Sequence, residues 1–94
     1  MSETRNYALY LAYVGKHLIF GESIFKSPKK KVYLVLIPND LSARHQQDVM
    51  QALDRNQIPY QTTFDLATLK RITNRELISY IGVTEKGLAK KLLL

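Results

Sequence analysis

The sequence predicts an α/β fold, a three-layer α/β/α sandwich built on a central mixed sheet of about four strands. Three observations predict it. Residues 32–37 are consecutive apolar residues rich in β-branched and aromatic types (Val32, Tyr33, Val35, Ile37), with lysines before them and Pro38-Asn39-Asp40 after. So short a run is a strand covered on both faces, not a membrane span or a long helix. On either side of it helical and strand-like patterns alternate, which puts helices on both faces of a sheet. The length of 94 residues and the 46% apolar content suit one domain, over residues 1–94, with a core of its own.

In chain order, residues 4–14 read as a first helix, capped by Ser2 or Thr4, with Tyr7, Leu11 and Val14 as its apolar stripe. Gly15-Lys16 ends it, glycine just past the last turn and a cation near the negative end of the dipole. A short strand at 17–20 leads through Gly21 into a second, short helix at 22–26, and Ser27-Pro28 breaks that helix. The strand at 32–37 follows. Ser42 caps a clear helix over 42–56 with Val49, Met50 and Leu53 on its apolar face. The next strand is 58–63, with Pro59 near its start or the strand at an edge. Asp65 caps a helix over 66–72, 77–82 is a further strand, and Thr84 caps a last helix on Leu88, Ala89, Leu92 and Leu93.

The charge balance, 14 Lys+Arg against 8 Asp+Glu for a net +6, favours a polyanionic partner, nucleic acid before membrane. The absence of cysteine removes disulfides, thiolate metal sites and cysteine nucleophiles, and is compatible with the cytoplasm. No apolar stretch approaches the ~18 residues of a membrane span, and the N-terminus lacks the apolar core of a secretory signal. His17 and His45 lie on different elements without metal-binding spacing, the carboxylates are scattered, and Gly15 and Gly21 fit neither phosphate-loop pattern. No catalysis, cofactor, metal or small-molecule substrate is therefore expected.

The positive charge is better organised. Lys26, Lys29, Lys30 and Lys31 crowd the junction before the central strand, with Lys16 upstream. Lys70, Arg71 and Arg75 surround the turn before the last strand. If the strands bring these loops to one end of the sheet, they form one basic rim that releases counterions from phosphates. The competing reading is that lysines before a strand only protect an edge from aggregation. The helix start at Gly21, Glu22 and Ser23 presents free N–H groups to an anion, although glycine there also serves as punctuation. Tyr10, Tyr13 and Tyr33 read as packing residues with wet hydroxyls rather than as base-stacking platforms.

The segments AYVGKHLIFGES (12–23), IPYQTTFDLATL (58–69) and IGVTEKGLAKKL (81–92), in that order around the apolar strand, resemble the L-seven-Ae/L-thirty-e ribosomal-protein superfamily, closest to its bacterial YlxQ-type branch. The likeness runs from about Tyr7 to Leu92. It implies a three-layer α/β/α domain that binds structured RNA, often kink-turns, in a ribonucleoprotein. The family's Gly-x-Asn-Glu-x-x-Lys helix start falls on Gly21, with Ser23 and Ile24 where the Asn-Glu pair stands and Ser27 at the lysine, one residue from Lys26. Its glycine-containing late loop falls on residues 69–74, which hold no glycine. Ile24 offers nothing to a base edge, whereas phosphate binding by lysines does not need that pair.

The expectation is a non-catalytic, cytoplasmic RNA-binding accessory of the ribosome or translation machinery. Structured RNA, ribosomal or other, is the expected partner, with the ribosome or translation factors around it and no membrane. Its site would comprise Lys16, Gly21, Glu22, Ser23, Lys26, Lys29, Lys30 and Lys31, faced by Lys70, Arg71, Thr73 and Asn74. The lysines would hold phosphates, and Ser23 and Asn74 would touch bases or riboses. The alternative is a protein-interaction module that kept the fold and lost RNA.

Overall fold

The structure, a computed structural model, describes residues 2–26 and 31–93. The elements follow in the order α1 (Ser2–Val14), β1 (Leu18–Phe20), α2 (Ser23–Lys26), β2 (Leu34–Leu36), α3 (Ala43–Arg55), β3 (Tyr60–Gln61), α4 (Leu66–Thr73), β4 (Ile81–Val83) and α5 (Lys86–Leu93). The sheet order is β1-β4-β2-β3, with β4 antiparallel to both neighbours and β3 parallel to β2. The fold is thus α/β with a four-stranded mixed sheet.

The apolar run lies at its centre. Leu34 and Leu36 enter one buried cluster with Ala8 and Leu9 of α1, Leu69 of α4, and Ala89 and Leu92 of α5. Val35 and Ile37 enter a second with Ile24 of α2 and Val49 and Leu53 of α3. Three helices therefore cover one face of the sheet and two the other. Only the middle of the run pairs as strand: Tyr33 and Leu34 both turn to the first cluster, so the alternation of a regular strand begins at Leu34.

Two of the four caps expected from short polar side chains are present. Ser42 Oγ accepts from His45 N–H at 3.2 Å, and Asp65 Oδ1 from Thr68 N–H at 3.0 Å. The Thr68 side chain and amide, in that order, hold the Asp65 carboxyl below the usual carboxylate range. At the sheet edge, Pro59 precedes β3 and its carbonyl accepts from Val35 N–H at 2.9 Å. Proline fits there because it has no N–H to lose from a ladder.

Several boundaries and faces differ from expectation. Ser2 and Thr4 lie within α1, not ahead of it. Its buried face is Ala8, Leu9 and Ala12, while Tyr7 is 63% and Val14 50% exposed. Two alanines let α1 approach α4 and α5 closely, and that fit outweighs the larger Tyr7–Leu11–Val14 stripe. The left-handed residue after α1 is Lys16 (φ 60°), not Gly15. A Cβ on Gly15 would lie 2.8 Å from His17 Cδ2, so glycine is needed there for room. The late strand starts at Ile81 rather than residue 77, and Leu77 is 93% exposed. Glu85, not Thr84, caps α5: its two carboxylate oxygens accept from Gly87 and Leu88 N–H at 2.9 Å each. Thr84 N–H instead donates to the His17 carbonyl at 2.8 Å, tying the end of β4 to the start of β1. Leu93 is 55% exposed and leaves the α5 stripe to Leu88, Ala89 and Leu92. The expected break at Ser27-Pro28 lies outside the described residues.

Candidate nucleic-acid interface

Strand directions sort the charged loops. Because β4 is antiparallel to β1 and β2, those two run parallel to each other. Their starts, with Lys16, His17 and Lys31, share one end of the sheet with Thr84. Their exits share the other end with the start of β4. The single basic rim expected from the sequence is therefore two separate groups, with Lys16 and Lys31 at the end opposite Gly21.

At the Gly21 end, a cleft of about 490 Å³ is lined by Phe20, Gly21, Lys70 and residues 75–79. Gly21 sits at φ +59° with open space where a Cβ would project. Its backbone angle is what calls for glycine. Its N–H donates to the Tyr80 carbonyl at 2.9 Å, which brings the start of α2 against the run into β4. Asn74 caps α4 in the left-handed conformation, as asparagine does more readily than most residues, and turns the chain back across the sheet end. Arg75 then places its guanidinium 4.1 Å from the Phe20 ring centroid, a cation–π contact that fixes the head group over β1.

The other expected site residues fare differently. Ser23 is exposed at the start of α2. Glu22 accepts from Lys26 Nζ at 3.1 Å, so the charge of Lys26 is offset by a neighbour one turn away. Both side chains are largely exposed, and such a pair yields readily to a stronger anion. Burial, and then the charge of Glu22, push the Tyr80 phenol up from its usual range. Lys70 is half-buried along the cleft. Arg71 is exposed, and its charge helps to keep the Asp65 carboxyl low at the start of α4. Thr73 is fully buried, and its hydroxyl donates to the Leu69 carbonyl at 2.7 Å. It faces the core and cannot line a ligand surface, which corrects its assignment. Lys29 and Lys30 lie outside the described residues.

Ile24, expected to offer nothing to a base edge, is buried against Gly82 and Val32. Phe20, Leu77 and Ser79 also line the cleft, although 77–79 read as strand from sequence. The signal that these residues leave the sheet is Asn74, a residue suited to a left-handed cap, followed by the charged pair Arg75-Glu76.

A polar cleft of about 410 Å³ lies beyond the exits of β2 and β3, lined by Arg5, Asn6, Asn39, Thr63, Phe64, Asp65 and Thr68. Asp40 and Asp65 accept from Leu66 and Thr68 N–H there, so the chain's own carboxylates occupy the start of α4. Among the described residues, no group of three or more His, Asp or Glu side chains could hold a metal ion. No described helix is long and apolar enough to cross a membrane.

No protein-family model matches the chain, and no curated protein matches it. A solved structure of a protein of unknown function from Bacillus halodurans C is similar, with a TM-score of 0.82 and 24% identity. The likeness covers 95% of this chain and 92% of that one. It shows the fold, and the fold alone.

Proposed function

We propose that this protein is a non-catalytic, cytoplasmic RNA-binding accessory of the ribosome or translation machinery. It grips structured RNA at the Gly21 end of its sheet. The observation that carries this reading is the meeting of two distant segments: Phe20 and Gly21 share one cleft with Lys70 and Arg75. A held guanidinium and a half-buried lysine in one cleft suit a phosphate backbone. Ser23 and the Asn74 side chain stand at the margin for ribose or base contacts, and Lys26 becomes available once an RNA phosphate displaces Glu22. With Ile24 in the core, affinity comes mainly from phosphates, so discrimination between RNA shapes is modest.

The test is a titration with a kink-turn RNA and a matched plain duplex at two salt concentrations. Both should bind with steep salt dependence, and Arg75→Gln should weaken both. Absence of binding to either RNA at low salt overturns the proposal.

One observation favours a second reading, a protein-interaction module. Tyr7, Tyr10 and Val14 are each about half or more exposed and follow one another at helical spacing along α1. If this stripe holds a protein of the translation machinery, Tyr7→Ser with Tyr10→Ser should abolish a nuclease-resistant pull-down while leaving the fold intact. Loss of the partner on nuclease treatment of the unchanged protein would remove this reading.

A further inference from the structure

A cleft of about 390 Å³ opens at the other end of the sheet, lined by Gly15, Lys16, His17, Lys31, Tyr33 and Thr84. It draws on the end of α1, the approaches to β1 and β2, and the β4–α5 junction. We propose that it is a separate phosphate site, holding either inorganic phosphate or a nucleic-acid backbone phosphate between the Lys16 and Lys31 ammonium groups.

Charge comes first. Both lysines are exposed, and His17 stands between α1 and β1 beside them. Glu85 is a carboxylate close enough to interact with His17, but both of its oxygens already accept N–H groups at the start of α5. Those bonds orient the Glu85 carboxylate towards the start of α5 without cancelling its charge, which the two lysines lining the cleft outnumber.

The backbone of Lys16 and the ammonium of Lys31 are also held in place. Lys16 is fixed in the left-handed region, where its N–H donates to Tyr13 and the next N–H to Ala12. The Lys31 ammonium lies 5.2 Å from the Tyr33 ring centroid. The His17 ring fills the space that a side chain on Gly15 would take, and its carbonyl is tied to Thr84. Two ammonium groups with imidazole, phenol and hydroxyl neighbours offer donors from several directions. That arrangement matches the distributed oxygens of phosphate better than the planar pair of a carboxylate, which an arginine fork suits. The cleft is larger than the anion, so an attached sugar fits.

This site shares no residue with the Gly21 end and does not depend on RNA binding there. The two ends lie a strand's length apart, about 10 Å for three residues, close to the screening length at ~0.1 M salt. Each therefore responds mainly to its own substitutions.

The experiment is amide NMR on the 94-residue chain, titrated with sodium phosphate and separately with a short oligouridylate. Saturable shifts are expected at Gly15, His17 and Thr84. Lys16→Gly, which suits the left-handed backbone, and Lys31→Gln should each weaken binding about fivefold, whereas Arg44→Gln, at an exposed position of α3, should not change it. Phosphate binding that the oligonucleotide does not improve supports a free-phosphate site. Tighter oligonucleotide binding with phosphate as competitor supports the backbone source. No saturable shifts at these amides with either probe, or wild-type affinity in both lysine variants, overturns the proposal. Loss of RNA binding in Arg75→Gln reports on the Gly21 end alone.

Discussion

Gly82 lies in the middle of β4, where glycine weakens a strand considered alone. It is there because a Cβ would come within 2.9 Å of Ile24 Cγ1 and 3.0 Å of Val32 Cγ1. The missing side chain lets α2 settle on the sheet. Gly82→Ala is therefore expected to destabilise the fold by about 1–3 kcal/mol in a urea titration, through overpacking against two stiff β-branched neighbours. Thr73, expected at the RNA surface, is a residue whose role reverses in the structure. Thr73→Val keeps its shape and deletes one buried hydrogen bond, so a loss of about 1 kcal/mol is expected with RNA affinity unchanged. A large fall in affinity in the still-folded variant would restore Thr73 to the binding surface. Nothing in the sequence separates Thr73 from the exposed Asn74 beside it. The distinction is that Thr73 shares the buried face of α4 with Leu69, one turn before it, whereas Asn74 caps the helix.

Among the elements, α5 shows how a cap ties local structure to pH. Hydrogen bonds from Gly87 and then Leu88 hold the Glu85 carboxyl below its usual value, helped by His17 and Lys91. A carboxyl lowered in the folded state stabilises the fold at pH above its unfolded pKa, roughly 4.3 for glutamate. That contribution fades as pH falls through the lowered folded value. Glu85→Gln should therefore flatten the acid limb of the stability profile, measured as urea midpoints against pH, and lower stability near neutrality. The caps on α3 and α4 were legible because Ser42 and Asp65 act within one turn of their own helices. The start of β4 was not, because Leu77 is apolar enough for a strand and only the pairing of Ile81 with Phe20 and Leu36 shows where the ladder begins. The α1 stripe misled for a related reason. Bulk points to Tyr7 and Val14, but the close approach of neighbouring helices selects Ala8 and Ala12.

For the whole molecule, the consequence of the topology is a division of positive charge between two ends. If the Gly21 end carries the RNA, Arg75→Gln should lower the slope of log K against log salt on duplex by about 0.9, the share of one phosphate. Replacing Lys70 as well should lower it by about 1.8. Slopes unchanged by both substitutions would move the contact elsewhere on the surface. The covered central strand, the order of helices and strands, and two of the helix caps follow from residues close together in the chain. A run of apolar residues needs cover on both faces, and a capping side chain reaches its N–H groups within a turn. Which lysines can share a ligand depends instead on β4 returning between β1 and β2. That return separates Lys16 and Lys31 from Lys70 and Arg75, and it sets Arg75 over Phe20. Pairing between distant strands is chosen by the hydrogen bonds and packing of the completed sheet, and local composition does not encode it.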